Sequence, residues 1–143
     1  MSTEIHKIQT DSEKIFSKNH TDLKSYLNAV GDWIEKETLR NIPEDDPKEY
    51  LYDLMRVYPK RGGKRFRPAL VLLSCELFGG DPHDAMISAI AFELFHNFAL
   101  IHDDIEDESL LRRGEPTLHL KYGTALAINS GDALHCLLHE ILL

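Results

Sequence analysis

Along most of the chain apolar residues recur every three to four positions, the spacing that gathers them on one face of an α-helix. Leu23, Tyr26, Leu27, Val30, Trp33 and Ile34 form the clearest stripe and predict a first helix that ends near Leu39. Asn41 to Lys48, with Pro43 and Pro47 flanking three acids, reads as a connecting turn. Leu51, Leu54, Met55 and Tyr58 mark a second helix, which Pro59 is expected to stop. A basic loop follows from Lys60 to Arg67, and Pro68 then sits in the first turn of a third helix closed by Gly79 and Gly80. Asp81 as N-cap and Pro82 behind it launch a fourth helix running to about Asp107. Arg112 to Thr117 is a break. Ser130 reads as the N-cap of a last helix through Leu134, Leu137, Leu138, Ile141 and Leu142. No strand alternation or internal repeat competes, so the predicted fold class is all-α, an antiparallel helical bundle forming a single domain over residues 1–143.

Composition narrows the function. The 143 residues suffice for one hydrophobic core, and 24 acidic against 16 basic side chains leave a net charge of −8. That balance argues against nucleic acid as a partner and requires any anionic ligand to meet a local cluster of bases. Cys75 and Cys136 stand in apolar helical surroundings without metal-type spacing, and read as buried free thiols in a reducing compartment. Met1 to Lys14 is polar and lacks the apolar core of a signal peptide, which predicts a cytoplasmic protein. The most apolar stretch, Ala85 to Ile101, is interrupted by Glu93, His96 and Asn97 and reads as too short and polar for a membrane span, so no integral membrane contact is expected. The last apolar helix reaches residue 143 without a stop signal, which fits either docking in the core or packing on something outside this sequence.

Chemistry concentrates at the end of the fourth helix, where five carboxylates fall within the six residues Asp103 to Glu108. Like charges at a helix C-terminus each cost about 0.3–1 kcal/mol, so a cationic ligand is expected to compensate. Asp103 and Asp107 are four residues apart on one face with Asp104 beside them, a set suited to Mg²⁺. A solvated helix end is the usual meaning of such a run. Here cations flank it on both sides: Lys60, Arg61, Lys64, Arg65 and Arg67 before, Arg112 and Arg113 after. Arginine forks and a lysine beside Gly62-Gly63, where backbone can approach closely, form a cradle for diphosphate. His96 lies on the same helix seven residues before Asp103, roughly 10 Å up the same face at 1.5 Å per residue.

Taken together, Gly62-Gly63-Lys64-Arg65-Phe66-Arg67-Pro68, His96, the run Leu100 to Asp107, Arg112-Arg113-Gly114, Thr117-Leu118-His119 and Gly131-Asp132-Ala133-Leu134 resemble the polyprenyl (isoprenyl) diphosphate synthases over about residues 50–143. The resemblance implies the N-terminal part of the isoprenoid synthase fold and prenyl transfer between isopentenyl diphosphate and an allylic diphosphate, with Mg²⁺ as cofactor. It implies Asp103, Asp104 and Asp107 as metal ligands, Arg112 on the allylic diphosphate, and Lys64, Arg67, His96 and Arg113 on isopentenyl diphosphate, with Asp103, Asp104 and Arg112 carrying catalysis. Phe98 and Ala99, at the fifth and fourth positions before Asp103, match the positions that set product length; an aromatic there resembles archaeal-type geranylgeranyl diphosphate synthases and implies a twenty-carbon product.

Members of that family also carry a second aspartate-rich motif, which this sequence lacks. The expectation is therefore a truncated domain holding about half of the active site, inactive alone and prone to self-association through unpaired apolar faces. Two other readings stay open: a non-catalytic diphosphate-binding or regulatory subunit, and a di-metal helical bundle based on the Glu93-Leu94-Phe95-His96 pair.

Overall fold

The computed structural model describes residues 22–143, and the polar segment Met1 to Lys14 lies outside them. Helix α1 (Leu23–Asn41) opens with Asp22, whose carboxylate accepts the Ser25 N–H at 2.7 Å. Tyr26, Val30, Trp33 and Ile34 of the predicted stripe are buried. Its C-terminal end is closed by a side chain from elsewhere in the chain. Arg56 is buried and donates to the carbonyls of Leu39 at 2.7 Å, Ile42 at 2.5 Å and Pro43 at 2.9 Å, which the helix itself leaves without partners.

The predicted second helix is broken into a π-helical turn (Lys48–Tyr52) and two short pieces, α2 (Asp53–Met55) and α3 (Val57–Lys60). Pro59 lies inside α3 rather than ending the element, because a helix of one turn makes no use of the N–H that proline lacks. Leu54, Met55 and Tyr58 are buried as their spacing predicts.

Helix α4 (Phe66–Leu77) carries Pro68 in its first turn and ends in a Schellman motif, with Gly80 N–H donating to Cys75 O at 2.9 Å and Gly79 N–H to Glu76 O at 3.0 Å. A 3₁₀ turn (Pro82–Ala85), capped by Asp81 through His83 N–H at 2.9 Å, leads into α5 (Met86–Glu106). Helix α5 is the central element and packs against α1, α4 and a long C-terminal helix. The 25-residue segment Pro82–Glu106 is long and apolar enough to cross a membrane, which corrects the reading of this stretch as too short. Its Glu93, Asn97 and Asp104 are buried against protein and hydrogen-bonded there, as in the core helix of a bundle.

After α5 the break holds a hairpin, β1 (Leu111–Arg112) paired antiparallel with β2 (Glu115–Pro116) around a turn at Arg113-Gly114. A short helix α6 (Leu118–Tyr122) follows, and α7 (Thr124–Leu142) completes the described chain. Ser130 is not an N-cap. It lies buried in α7, six residues after Thr124, and its hydroxyl donates to Ala127 O at 2.9 Å within the turn. Neither cysteine is buried: Cys75 is half-buried and Cys136 is exposed, both as free thiols.

Candidate functional site

The acidic end of α5 splits its carboxylates between two surroundings. Asp103 and Asp107 are exposed, and the Asp107 N–H donates to Asp103 O at 2.8 Å, so the last turn stays helical and both project from one face. Asp104 is buried at 1% exposure. Its neighbour relation to Asp103 corresponds to roughly 100° around the helix, against about 40° between Asp103 and Asp107. Asp104 thus points into the protein, where it accepts the Tyr58 hydroxyl at 2.5 Å and Arg112 Nε at 3.0 Å, with Arg112 Nη2 on the same carboxylate.

Each partner is shifted accordingly. The hydrogen bond to Asp104 raises the Arg112 pKa above its ordinary value, and burial, followed by the bond to Asp104, pushes the Tyr58 phenol up to about 12. No group of three or more His, Cys, Asp or Glu side chains able to hold an ion occurs among the described residues. Mg²⁺ does not require one: it takes one or two carboxylates and completes its octahedron with water and phosphate oxygens, a donor set that Asp103 and Asp107 fit.

A second feature lies beside it. Lys64, Arg67, His96 and Arg113 line one cavity of about 210 Å³, together with Arg65, Phe66 and Glu93. The loop after α3 delivers Lys64 and Arg65, the first turn of α4 Arg67, α5 the histidine, and the hairpin Arg113. His96 is held neutral, its pKa pushed down to about 4 by burial first and then by Arg67, Arg113, Arg65 and Arg112. Arg113 is exposed as a residue, yet its guanidinium tucks over Gly63 and donates through Nη1 to Tyr58 O at 3.2 Å; burial lowers its pKa. The close backbone approach expected at Gly62-Gly63 is used by this guanidinium: a Cβ at Gly63 would stand 2.9 Å from Arg113 Nη2.

Two of the loop arginines have other tasks. Arg65 is buried, its guanidinium shared between Glu93, Glu35 at 3.3 Å and Pro59 O at 2.5 Å. Arg61 lies over the Tyr58 ring at 4.9 Å and donates to Pro116 O at 2.7 Å, anchoring the hairpin that carries Arg112 and Arg113. Lys60 turns to a different cleft, with Lys36, Arg40 and Lys48. The di-metal bundle loses its acid, because the Glu93 carboxylate is taken up by Arg65 and by Asn97 Nδ2 at 2.9 Å.

Phe98 and Ala99 are half-buried. The Phe98 ring sits between His102 and His135, each at 4.8 Å between centroids, and meets Phe95 at 5.8 Å. Phe95 in turn lines an apolar cavity of about 420 Å³ between α5 and α7, with Ser88, Ala91, Phe92, Leu138 and Leu142. Helices α5 and α7 approach closely at Gly131, where a Cβ would meet His102 Nε2 at 2.7 Å. Tyr58 and His135 are the site neighbours that sequence reasoning missed. Tyr58 was legible only as an apolar-face residue.

Residues 48–143 match the family model for polyprenyl synthetases. The chain is 45% identical over 106 residues to the geranylgeranyl pyrophosphate synthase of Geoglobus acetivorans, covering 74% of this chain and 33% of that protein. To the geranylgeranyl diphosphate synthase of Sulfolobus acidocaldarius it is 40% identical over 116 residues, covering 81% of this chain and 33% of that protein. The crystal structure of geranylgeranyl pyrophosphate synthetase from Pyrococcus horikoshii superposes with a TM-score of 0.78 at 40% identity, over 92% of this chain and 37% of that one, which places the helices in the isoprenoid synthase fold. The chain spans about a third of the length of these curated relatives. With a family model matched over more than half of its residues and its cationic cavity built from the matched motifs, this chain belongs to the polyprenyl synthetase family.

Proposed function

We propose that this chain serves Mg²⁺-dependent prenyl transfer, joining isopentenyl diphosphate to an allylic diphosphate to give a longer polyprenyl, geranylgeranyl, diphosphate. The observation that carries the reading is the convergence of Lys64, Arg67, His96 and Arg113 on one cavity of about 210 Å³, beside a helix end that presents Asp103 and Asp107. Isopentenyl diphosphate takes the cavity, where lysine and arginine donors meet its diphosphate and the neutral His96 adds a hydrogen bond without competing for charge. Arg112 grips the allylic diphosphate from the other side of the hairpin. Asp103 and Asp107 would hold Mg²⁺, and Asp104, assigned to the metal by motif, orients Arg112 through its buried carboxylate. The metal, when bound, supplies positive charge against the departing diphosphate.

The reaction breaks the allylic carbon–oxygen bond, forms a carbon–carbon bond from the isopentenyl double bond to the allylic cation, and releases a proton. Arg112 stabilises the negative charge that builds on the leaving oxygens, an electrostatic contribution prepaid by folding. Phe98 limits product length, with Ala99 leaving room beside it, and the apolar cavity at Phe95 receives the growing chain. Exposed Leu77, Phe78 and Ile87, outside that cavity, support association into a dimer, and two free thiols support a reducing cytoplasm.

The test is prenyl transfer by the purified protein with labelled isopentenyl diphosphate, an allylic primer and Mg²⁺, using Asp103→Asn/Asp104→Asn as control. Prenyl product that vanishes in the control supports the enzyme; diphosphate binding without product supports a half-site of a synthase that does not turn over alone, the outcome it shares with a binding subunit; loss of both overturns the assignment.

A further inference from the structure

Tyr58 stands between the two arginines assigned to the two diphosphates and holds them with different atoms. Its hydroxyl donates to Asp104 Oδ2 at 2.5 Å, while its carbonyl accepts Arg113 Nη1 at 3.2 Å. The residue is 1% exposed, and its hydroxyl also accepts the Leu118 N–H at 3.3 Å, so the phenol is fixed by α6 as well as by the core. Arg112 binds Asp104 side-on through Nε and Nη2, an arrangement that leaves Nη1 and its two N–H groups for a ligand. Arg112 Nε reaches both carboxylate oxygens, Oδ1 at 3.0 Å and Oδ2 at 3.2 Å, and the Tyr58 hydroxyl adds the shorter bond to Oδ2 from α3, which fixes the tilt of the buried carboxylate.

We propose that Tyr58 is the positioning residue for Arg112: its hydroxyl locks Asp104, and Asp104 sets the guanidinium toward the allylic diphosphate. The proposal rests on the site reading above. It has a selective consequence, because Tyr58→Phe deletes the hydroxyl and keeps the carbonyl. The Arg112 side should weaken while the Arg113 side stays intact.

The experiment is calorimetric titration of the purified protein with two probes, a non-ionisable allylic thiodiphosphate with Mg²⁺ and isopentenyl diphosphate without it. Tyr58→Phe is expected to weaken the first about tenfold, the worth of one buried charge-assisted hydrogen bond, and to leave the second within about twofold. In an Arg112→Ala background the same substitution should have no further effect on the first probe, which separates positioning from the stability lost at the Leu118 N–H. Should Tyr58→Phe fail to fold by circular dichroism, Asp104→Asn tests the same link and should give the same selective loss. Unchanged allylic binding, equal losses with both probes, or a full loss that persists without Arg112 overturns the proposal alone. A wild-type protein that binds neither probe overturns the site reading and the proposal with it.

Discussion

Replacing Gly63 by alanine isolates what the double glycine does. Gly63 has φ +142°, a region that side-chain-bearing residues rarely adopt, and its added Cβ would stand 2.9 Å from Arg113 Nη2 and 3.0 Å from Cζ. The backbone strain costs on the order of 1–3 kcal/mol. The contact itself is relieved by moving the guanidinium, since it is the far end of a flexible side chain. Moving it breaks the 3.2 Å bond to Tyr58 O and withdraws Arg113 from the cavity it shares with Lys64, Arg67 and His96. Losing one charge-assisted contact to diphosphate corresponds to about 1.5–3 kcal/mol, or roughly 10- to 100-fold in affinity. Gly62 is the internal control: its φ is +74°, but a Cβ there meets nothing within 4 Å. Gly62→Ala should lower the thermal unfolding midpoint through left-handed strain of about 1–2 kcal/mol while leaving isopentenyl diphosphate affinity within about twofold. Calorimetric titration and thermal unfolding of both variants decide the matter. Equal affinity losses in the two, or no loss in Gly63→Ala, would refute the reasoning.

Three further outcomes follow from the same geometry. His96 has a depressed folded pKa of about 4, so its contribution to stability is present above the ordinary histidine value near 6.5 and is lost as pH falls toward 4. His96→Gln should flatten that acid loss by on the order of 1 kcal/mol after solvent screening, and parallel pH–stability curves for variant and wild type would contradict it. Arg56→Ala strands the carbonyls of Leu39, Ile42 and Pro43, and should destabilise by about 2–4 kcal/mol in denaturant unfolding; a change below about 1 kcal/mol would mean water replaces the guanidinium. Phe98→Ala opens the wall between α5 and His135 and should shift prenyl products to longer chains by chromatography, whereas an unchanged distribution would place the limit elsewhere.

Periodicity and local punctuation alone determined much of this molecule. The buried stripe of α1, the close of α4 at Gly79-Gly80, the Asp81 cap of the 3₁₀ turn that leads into α5 and the acidic end of α5 all depend on residues a few positions apart, and helix geometry converts such spacing directly into faces and caps. The gathering of Lys64, Arg67, His96 and Arg113 was legible through motif resemblance, and the folded chain brings all four to one cavity. Ser130 shows where local signals mislead: a serine before a leucine stripe resembles a cap, but its hydroxyl is satisfied inside a helix already begun at Thr124. Only tertiary structure decided that Asp104 turns from its neighbours to Arg112, that Arg65 and Arg61 are structural cations, and that Arg56 closes a helix it does not belong to. These choices are made between groups as much as 55 residues apart in sequence, as in the Arg61–Pro116 bond. Their cause is the cost of burying polar groups without partners, which depends on which elements pack together and leaves no periodic trace along the chain.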